Sequence, residues 1–426
     1  MRARVRAHVR DLVTSALPNG EHRSARGALS EPAFRSFLLA NAFAPMAQML
    51  FAVALAWHVY ELTGEALHLG GIGLIQFLAT FGLSLVGGAV ADAYDRVRIL
   101  ILQQLAMLAC GLTLWFVTAS DGISLVFLYF AAAISSAAGA FANPASSAIL
   151  PTLVPTVLFP RAVTLSASVR QAARMSGPLV FGVVLEGWGL ASTYLLQATL
   201  CGLAFATLWV VRPRYGSGER REVSLASVRE GVEFVLRRPV IWGSMSLDMV
   251  AVVFAGAVAL FPIYAMDILD VGGLGYGILA AALDLGTVGM GFMLVWLPPI
   301  RRAGRALLLA VGAFGVATIA FGSSTEFWLS TCALVVAGMA DQVSMVARSL
   351  IIQLSTPDAL RGRVSSVNMI FIGASNQLGA AESGFPAAAT SAPFTVVFGG
   401  FACLATLAVA TVKIPELRAY EVPASD

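Results

Sequence analysis

Twelve long apolar segments recur along the sequence and limit the folds open to it. Each has roughly the 17–25 residues that a tilted helix needs to cross the hydrocarbon core of a membrane. Backbone polar groups in lipid must bond to one another, and the segments are too continuous for the alternating strands of a barrel. The sequence therefore predicts an all-α polytopic membrane protein with twelve transmembrane helices and both termini on one side. The segments are 34–58, 69–91, 99–118, 124–149, 163–187, 191–211, 240–265, 273–297, 305–322, 327–350, 364–386 and 393–413.

The composition supports lipid as the solvent of the fold. Hydrophobic residues make up 58% of the chain and charged residues 12%, and the mean hydropathy is +0.81. This leaves too little polar surface to cover a water-soluble globule of 426 residues. The net charge of +3 is not typical of a nucleic-acid binder. The cysteines all lie inside apolar segments, which predicts packing roles rather than a disulfide framework or a metal site: Cys110, Cys201, Cys332 and Cys403.

The basic residues alternate strictly along the chain. All 27 lysines and arginines lie in or beside the amino-terminal tail, every second connecting loop and the carboxyl end. The other loops hold no Lys or Arg but carry Glu61, Glu65, Asp121, Asp267, Asp270 and Glu326. Cytoplasmic loops of membrane proteins are rich in Lys and Arg. The pattern therefore predicts that both termini are cytoplasmic.

One long polar connector divides the segments into six and six. It covers residues 212–239 and separates a first half at 33–211 from a second half at 240–413, with basic and short cytoplasmic tails at 1–32 and 414–426. Apolar residues between Leu225 and Leu236 recur at helical spacing, which predicts an amphipathic helix on the cytoplasmic membrane surface. A solvated connector is the alternative.

A short repeat relates the two halves. The pattern Pro155-x-x-Leu158-x-x-Arg161 returns 202 positions later as Pro357-x-x-Leu360-x-x-Arg363, and Gly177 and Gly379 keep the same offset. Parallel internal repeats of this kind are typical of several transporter folds.

A charged turn follows the second apolar segment, with the sequence Gly87-Gly88-Ala89-Val90-Ala91-Asp92-Ala93-Tyr94-Asp95-Arg96-Val97-Arg98. It resembles the loop signature of the major facilitator superfamily, in the form found in its enterobactin-exporter-like and macrolide-efflux-like members. Segments 153–178 and 356–364 resemble the same branch. The equivalent second-half turn at 298–305 lacks the acidic residue of the signature.

The resemblance implies a secondary active transporter of the bacterial inner membrane, monomeric and built from two six-helix halves. It further implies proton-coupled export of a siderophore or a similar small amphipathic molecule, with drug or macrolide efflux as the alternative cargo. A non-transporting sensor or scaffold on the same fold is the alternative from another class. The signature turn implies a gating motif comprising Gly88, Asp92, Asp95, Arg96 and Arg98.

Three acids lie deep inside second-half segments and are the candidates for proton coupling: Asp248, Asp284 and Asp341. A carboxylate in the hydrocarbon layer must find a cation or water, or take up a proton, which is the physical basis of coupling. The alternative is a purely structural role in helix-to-helix hydrogen bonding. Arg348 shares a helical face with Asp341 and is interpreted as an interfacial anchor, with a relay partner of Asp341 as the alternative. Glu382 is interpreted as an interfacial residue.

Polar residues within the spans are the candidates for substrate contact, with interhelical hydrogen bonding as the alternative for each. They are Asn41, Gln48, Gln76, Asn143, Arg170, Asn368, Asn376 and Gln377. Arg174, one turn after Arg170, is assigned a structural role. The sequence contains no nucleotide-binding loop, metal-ligand cluster or nucleophile elbow. It therefore predicts neither an enzyme nor a cofactor, and the expected partners are a small-molecule substrate, protons and the lipid bilayer, without nucleic acid.

Overall fold

Long helices make up nearly all of the chain in the computed structural model, which describes residues 29–211, 225–357 and 360–422. The predicted amino-terminal tail and the first part of the connector lie largely outside these residues, as do the surroundings of Gly88 and the side chain of Asp92. The helices are α1 (Pro32–Thr63), α2 (Ala66–Ala93), α3 (Arg96–Ala119), α4 (Leu125–Ile149), α5 (Phe159–Trp209), α6 (Leu225–Leu236), α7 (Pro239–Ala255), α8 (Gly272–Trp296), α9 (Ala303–Ser323), α10 (Phe327–Ser355), α11 (Arg361–Ala389), α12 (Ala392–Lys413) and α13 (Pro415–Ala419).

The described helices account for twelve membrane crossings. Ten candidate spans are long and apolar enough by length and hydropathy alone. One of them, α5, contains 51 residues and is two helices joined at Gly189, whose φ of 80° and ψ of 172° reverse the chain. We call these segments α5a (159–188) and α5b (190–209). The twelfth crossing is α11, which has 29 residues but carries Asn376 and Gln377 and so has a lower hydropathy.

The seventh predicted span is not one continuous helix. Helix α7 ends at Ala255, and a 3₁₀ turn (Ala257–Leu260), a short helix (Phe261–Ile263) and a π turn (Tyr264–Ile268) complete the crossing. Pro262 has no amide hydrogen to continue a helical ladder, which accounts for part of the irregularity. The carbonyl of Gly256 at the break accepts a hydrogen bond from Ser383 Oγ of α11 at 3.2 Å. A neighbouring helix thus satisfies a backbone group that lipid could not.

The sequence repeat corresponds to a repeated junction. The amide of Leu158 donates to the Pro155 carbonyl at 2.9 Å, and the amide of Leu360 donates to the Pro357 carbonyl at 2.9 Å. A Cβ on Gly177 would lie 2.7 Å from Met49 Cβ of α1, and one on Gly379 would lie 2.8 Å from the Val252 carbonyl oxygen of α7. Each half therefore packs its fifth helix closely against its first.

The two sides of the molecule differ in charge. We call the side with the loops containing Glu65, Asp121, Asp270 and Glu326 the acidic face, and the opposite side the basic face. On the basic face, α6 packs Val235 among apolar residues of α7, α10 and α11. Glu230 of α6 forms an ion pair of 2.6 Å with Arg363 of α11. The connector thus contains a helix attached to the second half, while its contact with the membrane surface stays a prediction.

The carboxyl-terminal segment packs against the turn that lacks the signature acid. Leu417 of α13 is fully buried, and the Val422 amide donates to the Arg301 carbonyl at 2.7 Å. Glu421 forms an ion pair of 3.2 Å with Arg302. An acidic partner for the basic turn at 298–305 therefore comes from the carboxyl-terminal segment.

Candidate transport site

Two of the three predicted proton-coupling acids lie close together. A Cβ on Gly286 would overlap the Val335 carbonyl oxygen, so the backbones of α8 and α10 approach more closely than larger residues allow. Thr287 Oγ1 donates across the same contact to the Gly338 carbonyl at 3.2 Å. This packing places Asp284 and Asp341, both half-buried, near enough for the charge of Asp284 to act on Asp341.

A cation of the first half faces these acids. Arg174 and Gln171 of α5a lie near enough to Asp284 for their polar groups to act on its carboxylate. Arg174 was assigned a structural role from the sequence, but the structure places it at the junction of the halves. Gln171 was missed, although it lies three positions before Arg174 and so shares its helical face. The group contains two carboxylates and one guanidinium, an excess of one negative charge that a single proton would cancel.

Asp248 has a different environment. Its carboxylate on α7 forms a buried ion pair with Arg348 of α10, and the two side chains are 9% and 7% exposed. Arg348 is therefore not an interfacial anchor, because it is buried inside the second half. A paired buried acid is held ionised by its partner, which favours a constant charge over proton exchange. A role for Asp248 in coupling stays a prediction.

The predicted substrate residues do not form a hydrogen-bonded cluster. Asn41 is buried and donates from Nδ2 to Ser166 Oγ at 2.7 Å. Gln48 is exposed and lines a small polar pocket of the first half with Gln103, Gln104 and Ser135. No hydrogen bond joins any two of the eight residues within 29–211, 225–357 and 360–422.

The remaining candidates differ in burial. Asn368 is half-buried, and its Oδ1 is shielded without a hydrogen-bond partner among the described residues. Gln76 and Gln377 are also half-buried. The exposed candidates are Asn143, Arg170 and Asn376.

The signature turn makes its described contacts within the first half. Asp95 caps α3 by accepting from the Val97 amide at 2.9 Å, and it lies 3.9 Å from Arg98 in an exposed ion pair. Arg96 Nη1 donates to the Ala148 carbonyl at the end of α4 at 3.1 Å. These interactions fix the turn between α2, α3 and α4.

Side chains near the acidic face close the two halves against each other. The Tyr276 ring of α8 packs against Trp57 of α1 and Phe181 of α5a, with ring centroids 5.4 and 5.6 Å apart. Tyr276 also donates to the Val53 carbonyl at 3.3 Å, and Tyr60 donates to the Asp267 carboxylate. The sequence analysis did not include these cross-half pairs.

The comparisons with known proteins agree with this architecture. A family model described as a transmembrane secretion effector, within the major facilitator superfamily, matches residues 23–426. The chain belongs to this family. Among curated proteins, this chain is 25% identical to the enterobactin exporter EntS of Escherichia coli O1:K1 / APEC over 409 residues, which cover 93% of this chain and 96% of that exporter.

Solved structures show the same fold at lower identity. A bacterial homologue of the human lysosomal transporter Spinster, in an inward-facing and unoccupied conformation, aligns with a TM-score of 0.65 and 17% identity over 91% of this chain and 97% of that one. A point mutant of the nucleoside transporter NupG aligns with a TM-score of 0.70 and 11% identity over 90% and 100% of the two chains. Together with the family match, these findings identify a multi-pass membrane transporter of the major facilitator type and not an enzyme.

Proposed function

We propose that this transporter is a proton-coupled exporter of a siderophore or a similar small amphipathic molecule. The observation that carries the coupling is the group formed by Asp284, Asp341 and Arg174 between the halves. The similarity to enterobactin exporters over nearly the whole chain supports the cargo class.

The acids couple the two halves through their charge. Two carboxylates in a medium of low dielectric repel each other, so the pair binds and releases protons as one unit. Arg174 belongs to the other half, so rearrangement of the halves would change its distance from the acids. Proton binding and cargo binding then favour different arrangements, which is the requirement for exchange.

Asp248 supplies a fixed counter-charge for Arg348 in this scheme, and cargo contacts the polar side chains of both halves, including Arg170.

Asp92 and the signature turn brace the halves on the basic face. This role is tested by Asp92→Asn, which should impair transport but leave insertion into the membrane unchanged.

The proposed location is the bacterial inner membrane, with the basic face and both termini in the cytoplasm and the transporter working as a monomer. All Lys and Arg residues lie in or beside the two termini and one set of loops, which supports this orientation. A reporter fused after Asp426, and another inserted at Gly216, should both respond as cytoplasmic. A periplasmic response at either position would contradict the orientation.

Transport into inverted membrane vesicles tests the function directly. A panel containing catecholate siderophores, macrolides and cationic dyes would be assayed with and without an imposed pH gradient. Gradient-dependent uptake of a siderophore is the expected result. Uptake of macrolides alone would favour drug efflux, and uptake independent of the gradient would contradict proton coupling.

A further inference from the structure

We propose that residues 414–422, which we call the carboxyl-terminal strap, hold α9 and α10 in position on the basic face, and that exchange between the arrangements of the halves depends on this. The strap does for the second half what Asp95 and Arg96 of the signature turn do for the first. This role needs only the transporter fold, and neither the proposed proton coupling nor the proposed cargo.

Two contacts fix the third helix of the first half at its basic-face end. The Asp95 side chain accepts from the amide of Val97, the second residue of α3, at 2.9 Å. Arg96 Nη1 donates to the Ala148 carbonyl at the end of α4 at 3.1 Å. The first contact caps α3, and the second ties α3 to the fourth helix.

The strap supplies a cap for the equivalent helix of the second half. Helix α9 follows the turn at 298–305, which has no acidic residue, and the Arg302 side chain before the helix does not cap it. The amide of Gly304, the second residue of α9, donates instead to the Tyr420 carbonyl of the strap at 3.3 Å. The third helix is therefore capped at the same position in each half, by a side chain in the first and by the backbone of the strap in the second.

The strap also ties α9 to α10. Ser355, the last residue of α10, donates from Oγ to the Tyr420 hydroxyl at 3.0 Å. Tyr420 thus contacts the end of the fourth helix through its side chain and the start of the third through its carbonyl. Arg96 makes the corresponding connection between α3 and α4. Because both second-half contacts come from one residue, displacement of the strap would break both.

Close packing holds the strap against the second half. Leu417 is fully buried, in the same hydrophobic cluster as residues of α7, α9, α10 and α12. A Cβ on Gly304 would overlap the Leu417 carbonyl oxygen, so the backbones of the strap and α9 are in contact. The Val422 amide donates to the Arg301 carbonyl at 2.7 Å. Burial and backbone hydrogen bonds therefore fix the position of the strap.

The helix ends on the basic face matter for the transport cycle. Cross-half contacts, such as the hydrogen bond from Tyr276 to the Val53 carbonyl, close the acidic face in this structure. Alternating access opens that face by moving one half largely as a rigid body against the other, while the basic face closes. The second half moves as one body only if its helix ends keep their positions. Loosening α9 from α10 would impair closure of the basic face and, with it, opening of the acidic face.

Spin labels measure the position of α9 relative to α10. The full chain with Cys332→Ser, Leu309→Cys and Leu354→Cys has labelling sites at exposed positions of the two helices, and the exposed native cysteine is removed. The distances between the labels would be measured in lipid nanodiscs. Gly304→Ala should displace the strap and broaden the distance distribution.

A milder pair of variants tests the tie to α10. Tyr420→Phe removes the hydroxyl and keeps the ring, and Ser355→Ala removes the other partner of the same hydrogen bond. Each should broaden the distribution to a similar extent, and combining them should add nothing further. These two variants decide the question if Gly304→Ala does not fold.

Labelling of a cysteine at Thr390 from the acidic side measures the opening of that face. In Gly304→Ala, labelling should fall about fivefold, the effect of losing one helix cap. Tyr420→Phe should change it in the same direction. The midpoint of thermal unfolding is measured in parallel, because a strap that only stabilises the fold would lower the midpoint without changing the labelling.

Matched controls lie on the same elements. Gly312→Ala is on α9, where a Cβ would meet only the end of the Leu407 side chain at 3.1 Å. Arg418→Gln alters an exposed residue of the strap. Both should keep the wild-type distances between α9 and α10 and the wild-type labelling at Thr390.

A label pair in the first half shows whether the effect is local. Labels at Leu102→Cys on α3 and Ser147→Cys on α4, both exposed, should respond to Arg96→Ala and not to Gly304→Ala. Unchanged distances between α9 and α10 in the folded strap variants would overturn the proposal. Broadened distances with unchanged labelling at Thr390 would overturn it as well, because the strap would then have no part in the exchange.

Discussion

Asp248 and Asp284 are both carboxylates deep in second-half helices, yet their neighbours give them different properties. Asp248 has a buried guanidinium as its ion-pair partner. Asp284 shares its surroundings with a second acid, Asp341, and with a cation from the other half. A carboxylate paired with its own cation keeps a constant charge. A group with more carboxylates than cations can instead take up a proton.

The first prediction concerns Asp284. Asp284→Asn removes an ionisable group with little change in shape, so gradient-driven export should fall to the level seen without a gradient while cargo binding persists. Asp341→Asn should give a similar or milder defect. Proton release on cargo addition, measured with a pH dye, is the readout. Asp121→Asn is the control, because Asp121 is exposed on the acidic face and Asn tolerates its positive φ of 52°.

The second prediction concerns the buried ion pair. Arg348→Ala leaves Asp248 uncompensated and should destabilise the protein by about 3–5 kcal/mol. The double variant Asp248→Ala with Arg348→Ala should be less destabilised than Arg348→Ala alone. Thermal unfolding in detergent measures both effects. A double variant whose destabilisation equals the sum of those of the two single variants would contradict the pairing.

Sequence reasoning identified the three acids by their depth but not their partners. Depth follows from position within an apolar segment, whereas pairing depends on which helix faces are in contact. Arg348 lies seven positions after Asp341 on one helix and was interpreted as an interfacial anchor, with a relay partner of Asp341 as the alternative. The contact with α7 that takes Arg348 away from Asp341 has no sequence signal.

At the scale of helices, the contact between α8 and α10 decides whether the acids act together. A methyl group on Gly286 would meet the Val335 carbonyl, and one on Gly338 would meet the Leu283 carbonyl oxygen. The two helices therefore approach through reciprocal glycines that lie two positions from Asp284 and three positions from Asp341.

The third prediction tests this contact. Gly286→Ala should push α8 from α10, with a cost of about 1–3 kcal/mol and weaker coupling between the acids. Gly289→Ala on the same helix is the control, because a Cβ there meets nothing within 4 Å. The pH dependence of export and the midpoint of thermal unfolding report the two effects. If the two variants have the same pH dependence of export and the same midpoint of thermal unfolding, the close approach of α8 and α10 supports neither coupling nor stability.

The helix boundaries show which features a single sequence reveals. The twelve predicted segments include α11, although its polar residues lower its hydropathy and length and hydropathy alone select ten candidate spans among the described helices. The irregular backbone after Ala255 was not predicted, because residues 256–265 are as apolar as the helix before them. The hydrogen bond from Ser383 that supports this break comes from a helix more than a hundred positions later.

At the scale of the whole molecule, the described cross-half contacts stabilise closure on the acidic face. Tyr60 to Asp267, Tyr276 to Val53, and the Leu274 amide to Glu186 Oε1 at 3.0 Å all join the first half to the second. Each must break before the two halves separate on that side. Their summed strength sets the population of the closed arrangement.

The fourth prediction weakens one of these contacts. Tyr60→Phe removes a hydrogen bond to a carboxylate, worth about 1.5–3 kcal/mol, and should raise the open population about tenfold or more. Labelling of a cysteine at Thr390 from the acidic side measures the opening. Tyr129→Phe is the control, because Tyr129 bonds to His68 within the first half. Unchanged labelling in Tyr60→Phe would show that this bond does not restrain the halves.

The pairing of Asp248 with Arg348 also has a consequence for synthesis. The partners are 100 positions apart, and α8 and α9 lie between their helices. An aspartate at the centre of an isolated span costs about 2.5–3.5 kcal/mol on insertion scales, which the apolar remainder of α7 offsets. During translation α7 therefore enters the membrane before its counter-ion exists. The second half reaches its native packing only after the ribosome has delivered α10, so pausing before that point prolongs exposure of an unpaired acid to the lipid.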